Sequence, residues 1–292
     1  YDFLASSRFS WRRFLLQLAL QATAMLDALT HENRETVLIL DDTTIERPRA
    51  KKVELLARVF DHCEGRFLKG FRMLTLAWSD GASLIPLDFA LLSSTDPCNR
   101  YQNATKVVDR RSCGAMRRRE ATMKSTSLLV PMLRRVLAAG TKARYLLMDS
   151  WFGLPAIISA LCPLLPVICM VKRTPKILYG FGGKRLTLDG IYRELKKRRG
   201  RAKVLASAVI TLNGGQSARL VFVRDRRKKD WLALLSTDLS LPEADVVRIY
   251  GKRWDIEVFF RTAKQFLGLE KGCQARDFDS LIAHATIVLM RS

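Results

Sequence analysis

The sequence predicts an α/β fold: a mixed five-stranded sheet flanked by helices, with a β-rich insertion late in the chain. Three observations predict it. Apolar runs at 36–44 and 144–151 each end in acids, as buried strands do when their carboxyl ends face a ligand. Apolar residues recur at helical spacing before, between and after these runs. Residues 174–240 then change character, with Gly180, Gly182, Gly183, Gly214 and Gly215 among short strand-like runs such as "ARLVFVR" and "WLALLST".

The elements follow in order. Residues 11–29 place Trp11, Phe14, Leu15, Leu18, Ala22, Met25, Leu26 and Leu29 at helical spacing, an amphipathic entry helix. "TVLILDDTT" (36–44) reads as a buried strand whose carboxyl end carries two aspartates. "FRMLTLAWSDGASLIPLDFALLSS" (71–94) reads as two strands joined at Asp80-Gly81. Residues 121–140 form a helix that Gly140 stops and Pro131 kinks or shortens. "RYLLMDSW" (144–151) is the next strand, followed by a helix near 154–162 and a strand at 167–173. Strand, hairpin, helix, strand, helix, strand gives the five-stranded sheet, its second half parallel. After the insertion, "EADVVRIYGKRWDIEVFFRTAKQFLGL" (243–269) returns to helix and "DFDSLIAHATIVLM" supplies the last one. The uncharged stretch 154–171 nears spanning length, but Pro155, Pro163 and Pro166 interrupt it, which argues against a membrane span.

A chain of 292 residues with 48% hydrophobic content has enough material for a substantial core. Its net charge of +22 is the strongest global signal and points to a polyanionic partner, nucleic acid first. The charge is concentrated: residues 106–124 hold seven Lys and Arg, 184–203 hold nine and 224–229 hold five. One such run is an ordinary solvated face, but three beside the strand ends favour a nucleic-acid groove. Six scattered cysteines with no CxxC pair predict reduced thiols in a cytosolic setting. The opening "YDFLASSRFSWRR" has no charged-then-apolar leader, and a start without Met with an end at "IVLMRS" predicts a fragment.

Acids sit where the strands end: Asp41 or Asp42 after "LIL" and Asp149 after "LLM". A third, Glu257, lies on the helix "RIYGKRWDIEVFFRTAKQF" (248–266). Wound as one helix, that segment puts Tyr250, Arg253, Glu257, Arg261 and Lys264 on one stripe, with Ile256, Phe259, Ala263 and Phe266 opposite. Each acid has a local alternative. Asp42 can cap a turn with Thr43 or Thr44, Asp149 can cap the helix after Gly153, and Glu257 can pair with Arg253 or Arg261. Three converging carboxylates, however, repel unless cations neutralise them, and hard divalent ions take oxygen ligands beside phosphates. Two such ions would activate a water or 3′-hydroxyl and stabilise the leaving oxygen of a phosphodiester.

The pattern Tyr250-x2-Arg253-x3-Glu257-x6-Lys264 resembles the Y-R-E-K signature of DDE transposases of the bacterial insertion-sequence group four. "LDDTT" and "LLMDSWF" resemble that family's two aspartate motifs, and the likeness runs from about residue 36 to 285. The resemblance implies a ribonuclease-H-like core interrupted by a β-rich insertion between the second and third acids. It implies Asp42, Asp149 and Glu257 as the triad and ligands of Mg²⁺ or Mn²⁺, two ions, with Asp42 chosen over Asp41 by the Asp-Thr pattern. It implies cleavage of double-stranded DNA at transposon terminal inverted repeats and joining to target DNA, by a homodimer in the bacterial cytoplasm at the nucleoid. Some members stack a flipped base on an insertion-domain tryptophan, which Trp231 resembles; a tryptophan of the insertion's core is the competing role.

The expected DNA contacts are therefore Tyr250, Arg253 gripping a phosphate bidentately, Lys264 as a point charge, Arg261, Trp231 and the run Arg117, Arg118 and Arg119. The expected divisions are a helical segment 1–35 (remnant or start of an end-binding region), core 36–173, insertion 174–240 and core-completing helices 241–292. "YGFGGKR" (179–185) lacks the ending of a phosphate loop, and His31, His62 and His284 share no ligand spacing. Two other functions stay open: a DNA-binding protein that does not cut, and a structure-selective nuclease on the same core.

Overall fold

The computed structural model describes residues 3–30, 34–62, 64–225 and 230–291. Chain order is α1 (Trp11–Leu29), β1 (Val37–Glu46), β2 (Ala57–Asp61), β3 (Arg66–Ser79), β4 (Leu84–Leu92), α2 (Cys113–Ala121), α3 (Ser125–Ala138), β5 (Tyr145–Met148), α4 (Pro155–Leu161) and β6 (Val167–Val171). Then come β7 (Tyr179–Phe181), β8 (Lys184–Leu186), α5 (Leu188–Glu194), β9 (Val204–Thr211), β10 (Ser217–Asp225), β11 (Asp230–Ser236), α6 (Glu243–Gly251), α7 (Trp254–Gln265) and α8 (Phe278–Met290).

All the strands join one mixed, mostly antiparallel sheet in the order β2-β3-β1-β5-β6-β11-β10-β9-β7-β8, with β4 also paired to β3. The five expected strands are β1, β3, β4, β5 and β6. As expected, β1, β5 and β6 are mutually parallel, while β3 runs antiparallel to β1. The five-stranded expectation is nevertheless too small, because among the described residues the sheet has eleven strands. The insertion does not stand apart: β11 pairs antiparallel with β6 and carries the sheet onward. A row of unpaired N–H and C=O groups on the outer edge of β6 is thereby satisfied. The sequence also gave no warning of β2, which pairs with the first half of β3.

Central strands explain their own composition. Val37 to Leu40, Tyr145 to Met148 and Val167 to Cys169 are each no more than 2% exposed, so both strand faces must be apolar. Leu38, Leu40, Leu146 and Met148 meet α3 and α4 on one face. Val37, Ile39, Tyr145 and Leu147 meet α6, α7 and α8 on the other.

α1 has the expected span but a rotated face. It buries Trp11, Leu15, Leu16 and Ala19, while Met25 and Leu29 are 68% and 80% exposed, contrary to the expected stripe. Nor is it a detached arm. Arg12 pairs with the buried Asp88 of β4 at 2.7 Å and with Glu120 of α2 at 2.6 Å. Arg135 of α3 holds the second oxygen of Asp88 at 2.7 Å. Pro131 lies inside α3 without ending it, and Gly140, at φ +94°, follows its end.

A second buried clamp fixes α2 to α8. Arg118 donates from Nε and Nη2 to the two carboxylate oxygens of Glu54, both at 2.8 Å, and from Nη1 to Asp279 at 2.9 Å. Arg117 adds a 3.0 Å pair with Asp279 and donates to the carbonyl oxygen of Phe9 at 3.1 Å. Burial pushes both carboxyls up, but the bonds from Arg118 outweigh it and hold Glu54 and Asp279 below their ordinary range. The expectation that Arg117 and Arg118 contact DNA is thus corrected: their guanidinium groups face buried acids and carbonyls, and Arg119 alone of the three is exposed.

Arg118→Met would leave Glu54 and Asp279 buried without their main counterion, a loss of about 3–5 kcal/mol. Arg119→Ala should change stability by no more than about 0.5 kcal/mol. Urea titration of the two variants checks this, and equal midpoints would show that the clamp carries no stability.

Candidate active site

The site is built where β1 and β5 stop pairing. Their last paired residues are Leu40 and Met148, so Asp41 and Asp149 stand next in line on neighbouring parallel strands. Strand alternation turns Asp41 toward the face of Val37 and Ile39, under α7, and Asp42 toward the face of Leu38 and Leu40. Asp41 Oδ2 accepts from Arg253 Nη1 at 2.9 Å, whereas Asp42 Oδ2 lies 3.5 Å from Arg72 Nε of β3. Asp149 is held by a local turn in which its Oδ1 accepts from the backbone N–H of Trp151 at 2.9 Å and of Phe152 at 3.3 Å. Gly153 lets this turn close against β6, because a Cβ there would sit 2.1 Å from the Met170 carbonyl oxygen.

The signature segment is two helices where the sequence predicts one. α6 ends at Gly251 and α7 begins at Trp254. Between them Lys252 bonds back to Ile249, Arg253 to Tyr250, Asp255 to Lys252 and Ile256 to Arg253, each over three residues. Such tight turns advance the chain by more than an α-helical step and rotate the stripe. The joint is pinned from below. Lys252 Nζ donates to the backbone oxygens of Glu35 at 2.5 Å and Asp80 at 3.1 Å, and Ser79 Oγ donates to Asp255 at 2.7 Å. These bonds set the α6–α7 joint beside the amino end of β1, from which the Arg253 side chain reaches Asp41. Arg253 then bridges two acids: its Nη1 reaches Asp41 and its Nη2 makes a short contact with Glu257.

Electrostatics mark the cluster as strained by like charge. Burial raises Asp41 to about 7; Arg253 pulls it back, but Asp149 and Asp42 push it further up. Burial raises Asp42 to about 6, offset by Arg72 and reinforced by Asp149 and Asp61. Arg253 is raised despite its burial, by Tyr250, Asp41 and Glu257. Tyr250, the partly buried neighbour of Arg253, is raised chiefly by its removal from water. Among the described residues, no three His, Cys, Asp or Glu side chains stand close enough to hold a metal ion as they lie. The donor chemistry nonetheless suits a hard divalent cation: all candidate ligands are carboxylate oxygens, and Asp42 Oδ2 is buried without a hydrogen-bond partner.

Other expected contacts disperse. Lys264 pairs with Glu270 at 3.3 Å toward the far end of α7, and Arg261 is exposed on the same helix. Trp231 packs inside the extended sheet, 4.9 Å from the Tyr192 ring and 5.0 Å from Phe222, with Arg173 over it at 4.4 Å. It is partly buried there, packed against the edge of the core. "YGFGGKR" forms the β7–β8 hairpin, turned by Gly182 and Gly183 at φ +56° and +76°. Residues 226–229 of the basic run, His31 and Cys63 lie outside the described residues.

Sequence reasoning missed two groups. One is Arg72, Trp151, Lys172 and His62 beside the acids; the only signal was the tryptophan two residues after Asp149. The other is a groove of about 1040 Å³ between the 46–53 and 270–276 segments, lined by Arg47, Arg49, Lys51, Lys52, Lys271 and Arg276. The run "RPRAKK" at 47–52 was its signal.

Comparison with known proteins bears on these residues. A family model described as DDE superfamily endonuclease matches residues 1–176, and one described as transposase DDE domain matches residues 115–290. No curated protein matches the chain. Among solved structures, the Drosophila P element transposase strand transfer complex is similar at 11% identity and a TM-score of 0.23. The match covers 55% of this chain and 34% of that one, so the chain spans about a third of that structure's length.

Asp41 and Asp42 hold protons more tightly in the folded chain than at the ordinary value of 3.8. Stability without divalent ions is therefore expected to fall as pH rises from about 4 through about 7. Bound Mg²⁺ or Mn²⁺ requires ionised carboxylates, so the rise in Tm on adding either ion should be larger at pH 8 than at pH 5. Thermal melts at both pH values check it, and an ion effect independent of pH would count against these two acids as ligands.

Proposed function

Because the chain belongs to the DDE superfamily of endonucleases and transposases, we propose that it cuts double-stranded DNA at transposon terminal inverted repeats and joins the freed ends to target DNA. The observation that carries this is the meeting of Asp41 and Asp42, midway along β1 where its parallel pairing with β5 ends, with Asp149, which follows β5, near the helix that bears Glu257. The likeness to the insertion-sequence group four signature supports the same assignment. The sheet order β4-β3-β1-β5-β6 supports reading this part of the chain as a ribonuclease-H-like core.

Asp149, Glu257 and an aspartate of the 41–42 pair would hold the divalent ions, Mg²⁺ or Mn²⁺. When bound, such ions supply the charge that activates a water or 3′-hydroxyl and steadies the leaving oxygen. The protein's own part is positioning. The turn after β5 holds Asp149, and Lys252 and Asp255 hold α7 in register over β1. Arg253 bridges two carboxylates in the DNA-free chain, one through each terminal nitrogen, and would turn the same two donors to phosphate oxygens when a strand lies along the stripe. Tyr250 supports it from the core, and Lys264 and Arg261 extend the contact along α7. The Asp-Thr pattern favours Asp42 as first acid, while the Arg253 bridge favours Asp41 as the acid that faces Glu257.

The same reading takes residues 36–173 and 241–292 as the catalytic core, 174–240 as the insertion and 1–35 as an entry segment. It takes the active form as a homodimer on paired ends in the bacterial cytoplasm at the nucleoid.

The test is Mg²⁺-dependent cleavage of the element's terminal repeat. Asp149→Asn and Glu257→Gln should abolish cutting while retaining binding. Of Asp41→Asn and Asp42→Asn, the one that abolishes cutting identifies the first acid. Tight binding with no cleavage by the unaltered chain would make it a DNA-binding protein only. Cutting of branched DNA regardless of sequence would make it a structure-selective nuclease.

A further inference from the structure

On the sheet face away from α7, a cavity of about 460 Å³ opens beside the acid cluster. Its volume is that of a small-molecule site. Its lining carries four cations, Arg58, Arg72, Lys124 and Lys172, and no carboxylate. Trp151, two residues past Asp149, supplies an aromatic wall, with Phe60 nearby. Among the described residues, no salt bridge ties Arg58, Lys124 or Lys172 to an acid. Two of them lie on rings instead: Arg58 is 4.0 Å from the Phe67 centroid, and Lys172 Nζ is 4.2 Å from that of Trp151. Arg72 links the cavity to the cluster, since its Nε lies 3.5 Å from Asp42.

Cations without acids select an anion, and an aromatic face among them selects a flat ring carried on that anion. A phosphate with a base satisfies both demands. Bases in a duplex are stacked on one another, so only an unpaired one can present its face to Trp151. The tryptophan is already dressed for such a partner. Lys172 lies over it and the His62 ring is tilted against it at 4.1 Å between centroids. Burial, with Arg72 and Lys172 close by, lowers the His62 pKa. A base that takes the place of Lys172 frees its ammonium for the adjoining phosphate.

We propose that this cavity seats one unpaired nucleotide of a DNA strand that passes the carboxylate cluster, its base on Trp151 and its phosphate among Arg72, Lys124 and Lys172. This deepens the DNA-cleaving function proposed above and rests on it for the identity of the polymer. It assigns Trp151, in the wall of that cavity, as a stacking residue.

The experiment measures binding in EDTA, so that cleavage plays no part. Fluorescence anisotropy compares a labelled duplex bearing a three-nucleotide 5′-phosphorylated overhang with the blunt duplex of the same sequence. The wild type should favour the overhang by roughly tenfold, the scale of one base–aromatic stack. Trp151→Ala should bring that ratio close to one, Trp151→Phe should keep most of it, and Lys124→Ala with Lys172→Ala should lower it. Equal binding of the two duplexes by the wild type would overturn the proposal, as would a ratio unchanged by Trp151→Ala. Competition by free thymidine 5′-monophosphate as effective as by the overhang strand would also overturn it, in favour of a free-nucleotide site. Cleavage of terminal repeats with no overhang preference sinks this seat alone. Overhang preference without any Mg²⁺-dependent cutting sinks the proposed reaction and leaves the seat.

Discussion

Everything at the centre of this molecule depends on keeping three aspartates together at the seam between β1 and β5. The strand register places Asp41 beside Asp149, and chain continuity adds Asp42. Burial and mutual repulsion both resist ionisation there, as the raised Asp41 and Asp42 show. The fold answers with one guanidinium on each sheet face. Arg253 descends from α7 to Asp41, and Arg72 rises from β3 toward Asp42. Neither does more than partly offset the charge, which leaves the seam receptive to further cations.

This constraint explains features that otherwise look unrelated. The break between α6 and α7 lowers Arg253 onto β1, and the bonds from Lys252 to the Glu35 and Asp80 carbonyls hold it there. The Asp80 turn is itself tightly made, its Oδ1 accepting from the backbone of Ala82 and Ser83 at 2.8 and 2.7 Å. The β3–β4 hairpin thus serves as a footing for the helix as well as two strands of the sheet. The antiparallel continuation through β11 closes the other edge of the parallel trio, so β5 and its acid remain interior.

Much of the fold was legible because its signals are local. Buried strands such as "VLIL" and "YLLM" announce themselves by composition, and Asp80-Gly81 by turn chemistry. Three things were not legible. The break at Lys252 and Arg253 involves no proline and both residues keep helical backbone angles, so its one local signal is Gly251, the last residue of α6. The face of α1 was misjudged because Arg12, a charged residue, is one of its anchors and helical periodicity counts only apolar side chains. The choice between Asp41 and Asp42 depends on which face each strand position turns to, and that is fixed by α7 packing over one side of the sheet.

The basic excess misled in a different way. A net charge of +22 invites the view that clustered arginines such as the run 117–119 face DNA. Yet Arg12, Arg117, Arg118, Arg135 and Arg253 all end on acids that are buried or nearly so. Buried carboxylates in a core this apolar require such partners, and arginine's fork satisfies two oxygens at once. Sequence clustering therefore says little about which cations reach a ligand. The better indicator is a cation with no acid to answer it. By that measure the charge left for a ligand lies in the cavity beside Trp151, in the groove of Arg47 and Arg276, and on the exposed outer end of α7. All three border the carboxyl ends of the strands that carry the acids, and that shared edge turns a general basic excess into a directed one.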